Sequence, residues 1–241
     1  MVIEREILAA IISRGAKELS IALPPGADAA FDIYYNFLER RGKSVNLTAI
    51  TGAEDVARLH FLDSIALLKT IEFKEARVID IGSGAGFPGI PLKIAEPSIA
   101  LTLLDATGKR VAFLLDLCAA LSLDAKCIHA RAEQSAHKPD MRERYDIAVS
   151  RAVAQLNILC ELCLPFVCVG GHFIAMKGVD STDELEQARY AIKTIGAELL
   201  ECYDYPISDT GITHRAVIIK KTSSTPEKYP RRFPKIQKSP L

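Results

Sequence analysis

No stretch of this sequence is apolar for long enough to cross a membrane. The most apolar segment, residues 156–170, contains Glu161 and Pro165 and falls short of the roughly 20 residues a span needs. The N-terminus lacks a basic start, a following apolar run and a small-residue cleavage site, because Glu4, Arg5 and Glu6 interrupt MVIEREILAAIIS; a secretory signal is not expected. Around Cys160 and Cys163 there is no second cysteine pair to complete a zinc site. That CxxC lies inside the apolar-periodic LNILCELCLPF, so it reads as buried small hydrophobes. The chain is also too long for a disulfide-stapled miniprotein, and no internal repeat is visible. These absences point to a cytoplasmic, metal-free protein with no membrane partner.

At 241 residues, 49% of them apolar, the chain is long enough to bury roughly 70% of its unfolded surface, and one compact domain with appendages is expected. The net charge of zero conceals an asymmetry. Residues 220–241 carry seven Lys or Arg and one Glu, which leaves 23 basic and 29 acidic residues elsewhere. An acidic body therefore ends in a basic segment.

Helical apolar spacing covers residues 2–20 and 28–41, with Pro24-Pro25-Gly26 between them and a further helix through His60-Phe61-Leu62-Asp63-Ser64. From Arg77 the texture changes to short apolar runs: 77–81, 101–105, 126–130, 146–150, 172–177, 198–205 and 214–220. Each of the first five precedes a helix-length stretch, which indicates a parallel sheet covered on both faces. The last two are joined by the short loop PISDTGIT, too short for a parallel crossover, so they should pair antiparallel. The expected layout is a helical extension (1–70), a Rossmann-like core (71–221) and a basic, proline-containing tail (222–241).

The first strand runs into VIDIGSGAGFPGIP, with glycines at 82, 84 and 86 and Phe at 87. A dinucleotide fingerprint would be G-x-G-x-x-G; G-x-G-x-G followed by Pro88 is a different turn. Asp80, two residues before Gly82, would repel a pyrophosphate but suits a ligand with a cationic end. The second strand ends at Asp105, 23 residues after Gly82, where a carboxylate accepts from ribose hydroxyls or simply caps the following helix. Together these features describe a site for S-adenosyl-L-methionine, with Asp80, Gly82, Ser83, Gly84, Phe87 and Asp105 around it. Phe87, and the lack of a hydride-relay site, weigh against a nicotinamide oxidoreductase.

The set Asn46-Leu47-Thr48, His60-Phe61-Leu62-Asp63-Ser64, VIDIGSGAGFPGIPL, LLDATGKRVAFL, Arg131-Ala132-Glu133, Ser150-Arg151-Ala152 and Met176-Lys177-Gly178 resembles the glucose-inhibited division protein B family. Its members are bacterial 16S ribosomal RNA guanine-N7 methyltransferases acting at guanine 527 of the 530 loop. The resemblance, over about residues 30–221, implies a class I S-adenosylmethionine-dependent methyltransferase fold: a seven-stranded, mostly parallel sheet with an antiparallel last strand. It further implies that Gly82 and Phe87 line the cofactor pocket, that Asp105, Ala106 and Thr107 hold the ribose side, and that Ala132 and Glu133 meet the adenine. Arg151 would contact the cofactor end and face the target base as the catalytic residue. Glu133 reads equally as a solvated first-turn Glu, and Arg151 as a partner for a neighbouring carboxylate. His60 and Asp63 share a helix face and are assigned no catalysis.

The segment after the fourth strand, Ser150-Arg151-Ala152-Val153, is not the (Asp/Asn)-Pro-Pro-aromatic sequence of enzymes that methylate exocyclic amines, and no Pro-Cys nucleophile is present. Guanine N7 fits what remains, since its in-plane lone pair carries no proton and needs no general base. Lys221, Lys228, Arg231, Arg232 and Lys235, interleaved with Tyr229 and Phe233, offer phosphate contacts and stacking surfaces for 16S rRNA or the small ribosomal subunit. Prolines should keep that tail extended, and its removal should weaken RNA binding while sparing the cofactor. A merely solubilising tail is the plainer alternative. A monomer is expected. Rival readings are a methyltransferase for a protein or small molecule, and a non-catalytic RNA-binding module with this fold.

Overall fold

A computed structural model describes residues 2–42, 47–151 and 154–241; the motif residues Asn46 and Ala152 lie outside them. Seven strands form one sheet: β1 (Arg77–Ile81), β2 (Ala100–Asp105), β3 (Ala125–His129), β4 (Tyr145–Arg151), β5 (Val167–Gly178), β6 (Ala197–Pro206) and β7 (Thr213–Lys221). Their spatial order is 3-2-1-4-5-7-6. β1 to β5 pair parallel, and β7 inserts antiparallel between β5 and β6. This is the expected sheet. The hairpin loop after β6 has room for only a tight return, so β7 must run back.

Alternation along the strands builds two cores. Val78, Leu103, Val149, Ile174 and Ile218 face one side, against α1 (Val2–Glu18), α2 (Ala27–Phe37), a helical run over 53–69 (α3), α4 (Gly89–Ala95) and α5 (Gly108–Ala120). Ile79, Leu104, Ala148, Phe173 and Ile219 face the other, against α6 (Ala132–Ser135), α7 (Leu156–Cys163) and α8 (Thr182–Thr194). Cys160 and Cys163 are fully buried in this second core. The middle of α3, Ala57–Leu62, is π-helical, a local widening often found at functional sites.

The C-terminal segment is a correction to the expectation of an extended tail. It turns into a short helix, α9 (Phe233–Lys238), with Pro234 in the first turn, where a missing N–H costs nothing. Tyr229 and Ile236 enter the second core. Arg142 donates to the carbonyls of Thr225 at 2.7 Å and Tyr229 at 2.9 Å, and His137 Nε2 donates to the Pro230 carbonyl at 2.8 Å.

Two cations expected to meet RNA are used up here. Lys221 is fully buried, donating to Glu143 at 2.9 Å and to Thr225 Oγ1 at 2.7 Å. Arg231 clamps the buried Glu161 with a two-pronged guanidinium, at 2.8 and 2.6 Å. Neither side chain is presented to a phosphate: Arg231 neutralises a carboxylate buried in the interior, and Lys221 is itself buried against the half-buried Glu143. Lys228, Arg232, Lys235 and Lys238 remain exposed.

Candidate active site

At the C-terminal edge of β1 the chain turns through three glycines at positive φ: Gly82 at 74°, Gly84 at 58° and Gly86 at 102°. At Gly86 a side chain is excluded twice over, since a Cβ there would lie 2.8 Å from Tyr34 Oη and 2.6 Å from Ile90 Cδ1. At Gly84 a Cβ would meet nothing closer than 3.9 Å and would project from the turn. The turn is tied to β2 by Gly82 and Ser83 N–H groups donating to the Leu104 carbonyl at 2.8 and 3.2 Å.

Asp105 joins the ends of β1 and β2. Its Oδ2 accepts from Gly84 N–H at 3.0 Å and its Oδ1 from Thr107 N–H at 2.8 Å, with Arg110 3.6 Å away. The carboxylate thus fixes the turn and opens α5 at once.

Asp80 departs from the expectation that it faces a ligand directly. It is completely buried beneath the turn. Oδ2 accepts from Gly89 N–H at 2.9 Å, and Oδ1 has no partner among the described residues. Burial pushes its pKa up to about 8, against the lowering effects of the Gly89 N–H and Arg151. An opposite charge arriving above the turn would act on it through the low-dielectric interior rather than by contact.

The helical N-terminal region reaches the turn through rings. Tyr34 donates to the Ala85 carbonyl at 2.7 Å and stacks on Phe87 with centroids 5.2 Å apart. On Phe87 also lies the His60 ring, at 4.3 Å, while the guanidinium of Arg151 sits 4.6 Å from the Phe87 centroid, a cation–π contact.

Arg151, the last residue of β4, is held on several sides. Nη1 donates to the Leu59 carbonyl at 3.1 Å and to Asp63 Oδ2 at 3.3 Å, and Nη2 to His60 Nδ1 at 3.0 Å. Asp63 Oδ1 in turn accepts from Tyr205 Oη at 2.9 Å and from His214 Nδ1 at 2.8 Å. The hydrogen bond to Asp63 raises the pKa of His214. His60 goes the other way: burial, with Arg151 beside it, lowers its pKa to about 3.

These parts enclose a cavity of about 890 Å³, lined by Gly82, Ser83, Gly84, Phe87, Asp105, Ala106, Thr107 and Arg151 together with Thr48, His60, Asp63, Lys177 and His214. Ala132 and Glu133 are not among its walls. Glu133 borders a separate hollow of about 740 Å³ with Arg131, Arg232 and Phe233. Lys177 ties the exit of β4 to α8, donating to the Ala154 carbonyl at 2.7 Å and to Glu184 at 2.6 Å.

Tyr205 and His214 escape a sequence reading because they face each other across the β6–β7 hairpin, over 140 residues from Asp63. No local spacing connects them to it.

The residues fit S-adenosyl-L-methionine: an open glycine cradle, a carboxylate at the end of β2 where a ribose would lie, and a buried carboxyl with one oxygen unpartnered among the described residues. A family model described as GidB, rRNA small subunit methyltransferase G, matches residues 27–206. A protein of that description from Alkaliphilus oremlandii is 46% identical over 96% of this chain and 98% of its own length. Another, from Pelotomaculum thermopropionicum, is 44% identical over 98% of this chain and 99% of its own.

Among solved structures, a ribosomal protein L11 methylase from Lactobacillus delbrueckii subsp. bulgaricus covers 68% of this chain and 79% of its own at a TM-score of 0.52 and 14% identity. TrmN from Thermus thermophilus covers 76% of this chain and 52% of its own at a TM-score of 0.51 and 18% identity. These show a shared class I methyltransferase fold. The family model and the near-full-length relatives agree, and the chain belongs to the GidB family, rRNA small subunit methyltransferase G.

Proposed function

We propose that this protein methylates N7 of guanine 527, in the 530 loop of 16S rRNA, using S-adenosyl-L-methionine. The observation that carries the reading is the shared cavity: the glycine turn and Asp105 open into the same space as Arg151. When bound, the cofactor supplies an electrophilic sulfonium methyl. Gly82, Ser83, Gly84 and Phe87 would hold its methionine end and Asp105, Ala106 and Thr107 its ribose. Asp80 would release to solvent the proton that burial favours and balance the positive charge from beneath, and Ala132 and Glu133 would approach the adenine from the neighbouring segment.

No side chain has to remove a proton from N7, so the residues work by position. Holding nucleophile and methyl in line near van der Waals contact can contribute roughly 7–11 kcal/mol in favourable cases. Arg151, fixed on Phe87, keeps N–H groups that would donate to an oxygen of the cofactor carboxylate, the base or a phosphate. His60, with its pKa near 3, stays uncharged and adds no cation beside a base that becomes positive. The exposed Lys228, Arg232 and Lys235 would contact the RNA backbone of the small subunit in the cytoplasm.

The test is methyl transfer from tritiated S-adenosylmethionine to small-subunit particles lacking the modification, with the labelled base mapped by N7-sensitive cleavage. Label at one guanine of the 530 loop supports the reading. Cofactor binding without label in particles or their naked RNA would move the acceptor to a protein or small molecule.

A further inference from the structure

The hydrogen-bond chain that begins at Arg151 has a direction, and its far end faces the cavity. A guanidinium only donates, so Arg151 Nη2, 3.0 Å from His60 Nδ1, makes Nδ1 the acceptor. The Leu59 carbonyl also lies 3.0 Å from Nδ1 and could accept a ring N–H beside the one from Arg151 Nη1, but a proton on Nδ1 would stand against the guanidinium N–H 3.0 Å away. Burial and the adjacent guanidinium keep the ring neutral, which places its single proton on Nε2. Nε2 lies 2.8 Å from Thr48 Oγ1 and donates to it. Ile50 N–H donates to the same oxygen at 3.0 Å.

A hydroxyl oxygen has two acceptor sites and one proton to give. In Thr48 both acceptor sites are filled, and the proton has no acceptor among the described residues. Thr48 lines the cavity beside Leu47, Ile50 and Leu59, whose apolar side chains suit the face of a planar ring.

We propose that Thr48 is a specificity-determining residue that donates to O6 of the target guanine, the Arg151–His60 relay making it a donor and nothing else. The inference rests on the guanine-N7 reading above. Guanine and adenine present the same N7 and differ at the neighbouring position, where guanine has an oxygen acceptor and adenine an amino donor. A hydroxyl able both to give and to accept would tolerate either base. One whose acceptor sites are occupied satisfies guanine and sets two donors against each other with adenine. Such a contact reads the base from the edge where the methyl arrives and leaves the N7 lone pair unengaged.

The experiment uses small-subunit particles reconstituted with 16S RNA carrying guanine or 2-aminopurine, which keeps N7 and lacks O6, at the target position. Methyl transfer kcat/KM and cofactor Kd are measured for the wild type, Thr48→Val and Thr48→Ser. Wild-type transfer to guanine particles is the control on the underlying reading; without it that reading falls, and this proposal with it. Given that control, Thr48→Val should lose about five- to tenfold in kcat/KM on guanine, the scale of one net hydrogen bond, while Thr48→Ser stays near wild type. The wild type should lose a similar factor on 2-aminopurine, and Thr48→Val should lose nothing more there. Cofactor Kd should not move. An equal valine penalty on both bases would overturn the proposal, as would a cofactor Kd weakened in step with kcat/KM, which would place the hydroxyl on the cofactor.

Discussion

Asp63 Oδ2 stands 3.3 Å from Arg151 Nη1 while its other oxygen serves Tyr205 and His214. One buried carboxylate therefore joins α3 to β4, β6 and β7. Removing it leaves a guanidinium, only 17% exposed, without its counter-charge. Asp63→Ala should lower stability by about 3 kcal/mol in urea unfolding. Its methyl-transfer kcat should fall further than its cofactor affinity, because Arg151 loses its orientation rather than the cradle its shape.

Arg151→Lys keeps the charge and loses the fork. A lysine ammonium cannot reach Leu59 O, Asp63 and His60 together or lie flat on Phe87. We expect kcat/KM to drop about a hundredfold, while folding stability falls less than in Asp63→Ala because a positive charge stays beside Asp63. A lysine variant of near-normal activity would show that the site needs a positive charge and not a planar donor.

Asp80 makes stability depend on pH with an unusual sign. Its folded pKa is raised from the ordinary 3.8 to about 8, so between those values the folded chain holds a proton that the unfolded chain has released. The stability associated with the neutral carboxyl is fully present below about pH 4 and is lost as pH rises toward 8. Asp80→Asn, which still accepts from Gly89 N–H through its amide oxygen, should abolish that slope. Comparing denaturation midpoints of wild type and variant from pH 5 to pH 8 measures it; parallel curves would mean that Asp80 is already ionised.

The C-terminal cations separate into two classes with different phenotypes. Arg231→Ala strands Glu161 and should destabilise the protein by about 3 kcal/mol. Replacing the exposed Lys228, Arg232 and Lys235 should leave the melting temperature nearly unchanged. Instead it should flatten the salt dependence of RNA binding, by about 0.7 in log–log slope for each phosphate no longer neutralised. An unchanged slope would assign these residues to solubility alone. Deleting residues 222–241 would mix both effects, since it also removes Tyr229 and Ile236 from the core.

Much of the sheet was legible because continuous apolar runs and the helices between them leave few alternatives. β1 falls on the expected 77–81, and the short loop after β6 gives away the hairpin. β5 begins at Val167, five residues before the expected start, because Gly170 and Gly171 look like punctuation. In fact the ladder is irregular there, and a Cβ on Gly171 would come 2.4 Å from the Asp146 carbonyl. The glycine turn and Asp105 were readable as a local pattern. The network around Arg151 was not, since its members meet only after the N-terminal helices and the last hairpin close over the sheet. The tail misled for a related reason: counting cations cannot reveal that the buried Glu161 takes one of them and that another is itself buried against Glu143.

Those clamps also bear on the order in which the chain is made. Synthesis runs from the N-terminus, so the segment that seals the second core emerges after the elements it covers. A product interrupted before residue 225 would show an open apolar face, with Glu161 and Glu143 lacking the partners that Arg231 and Thr225 provide. Exposed apolar surface of this kind draws aggregation and proteolysis. A chain that carries the closing segment should therefore resist proteolysis better than one that stops short of it.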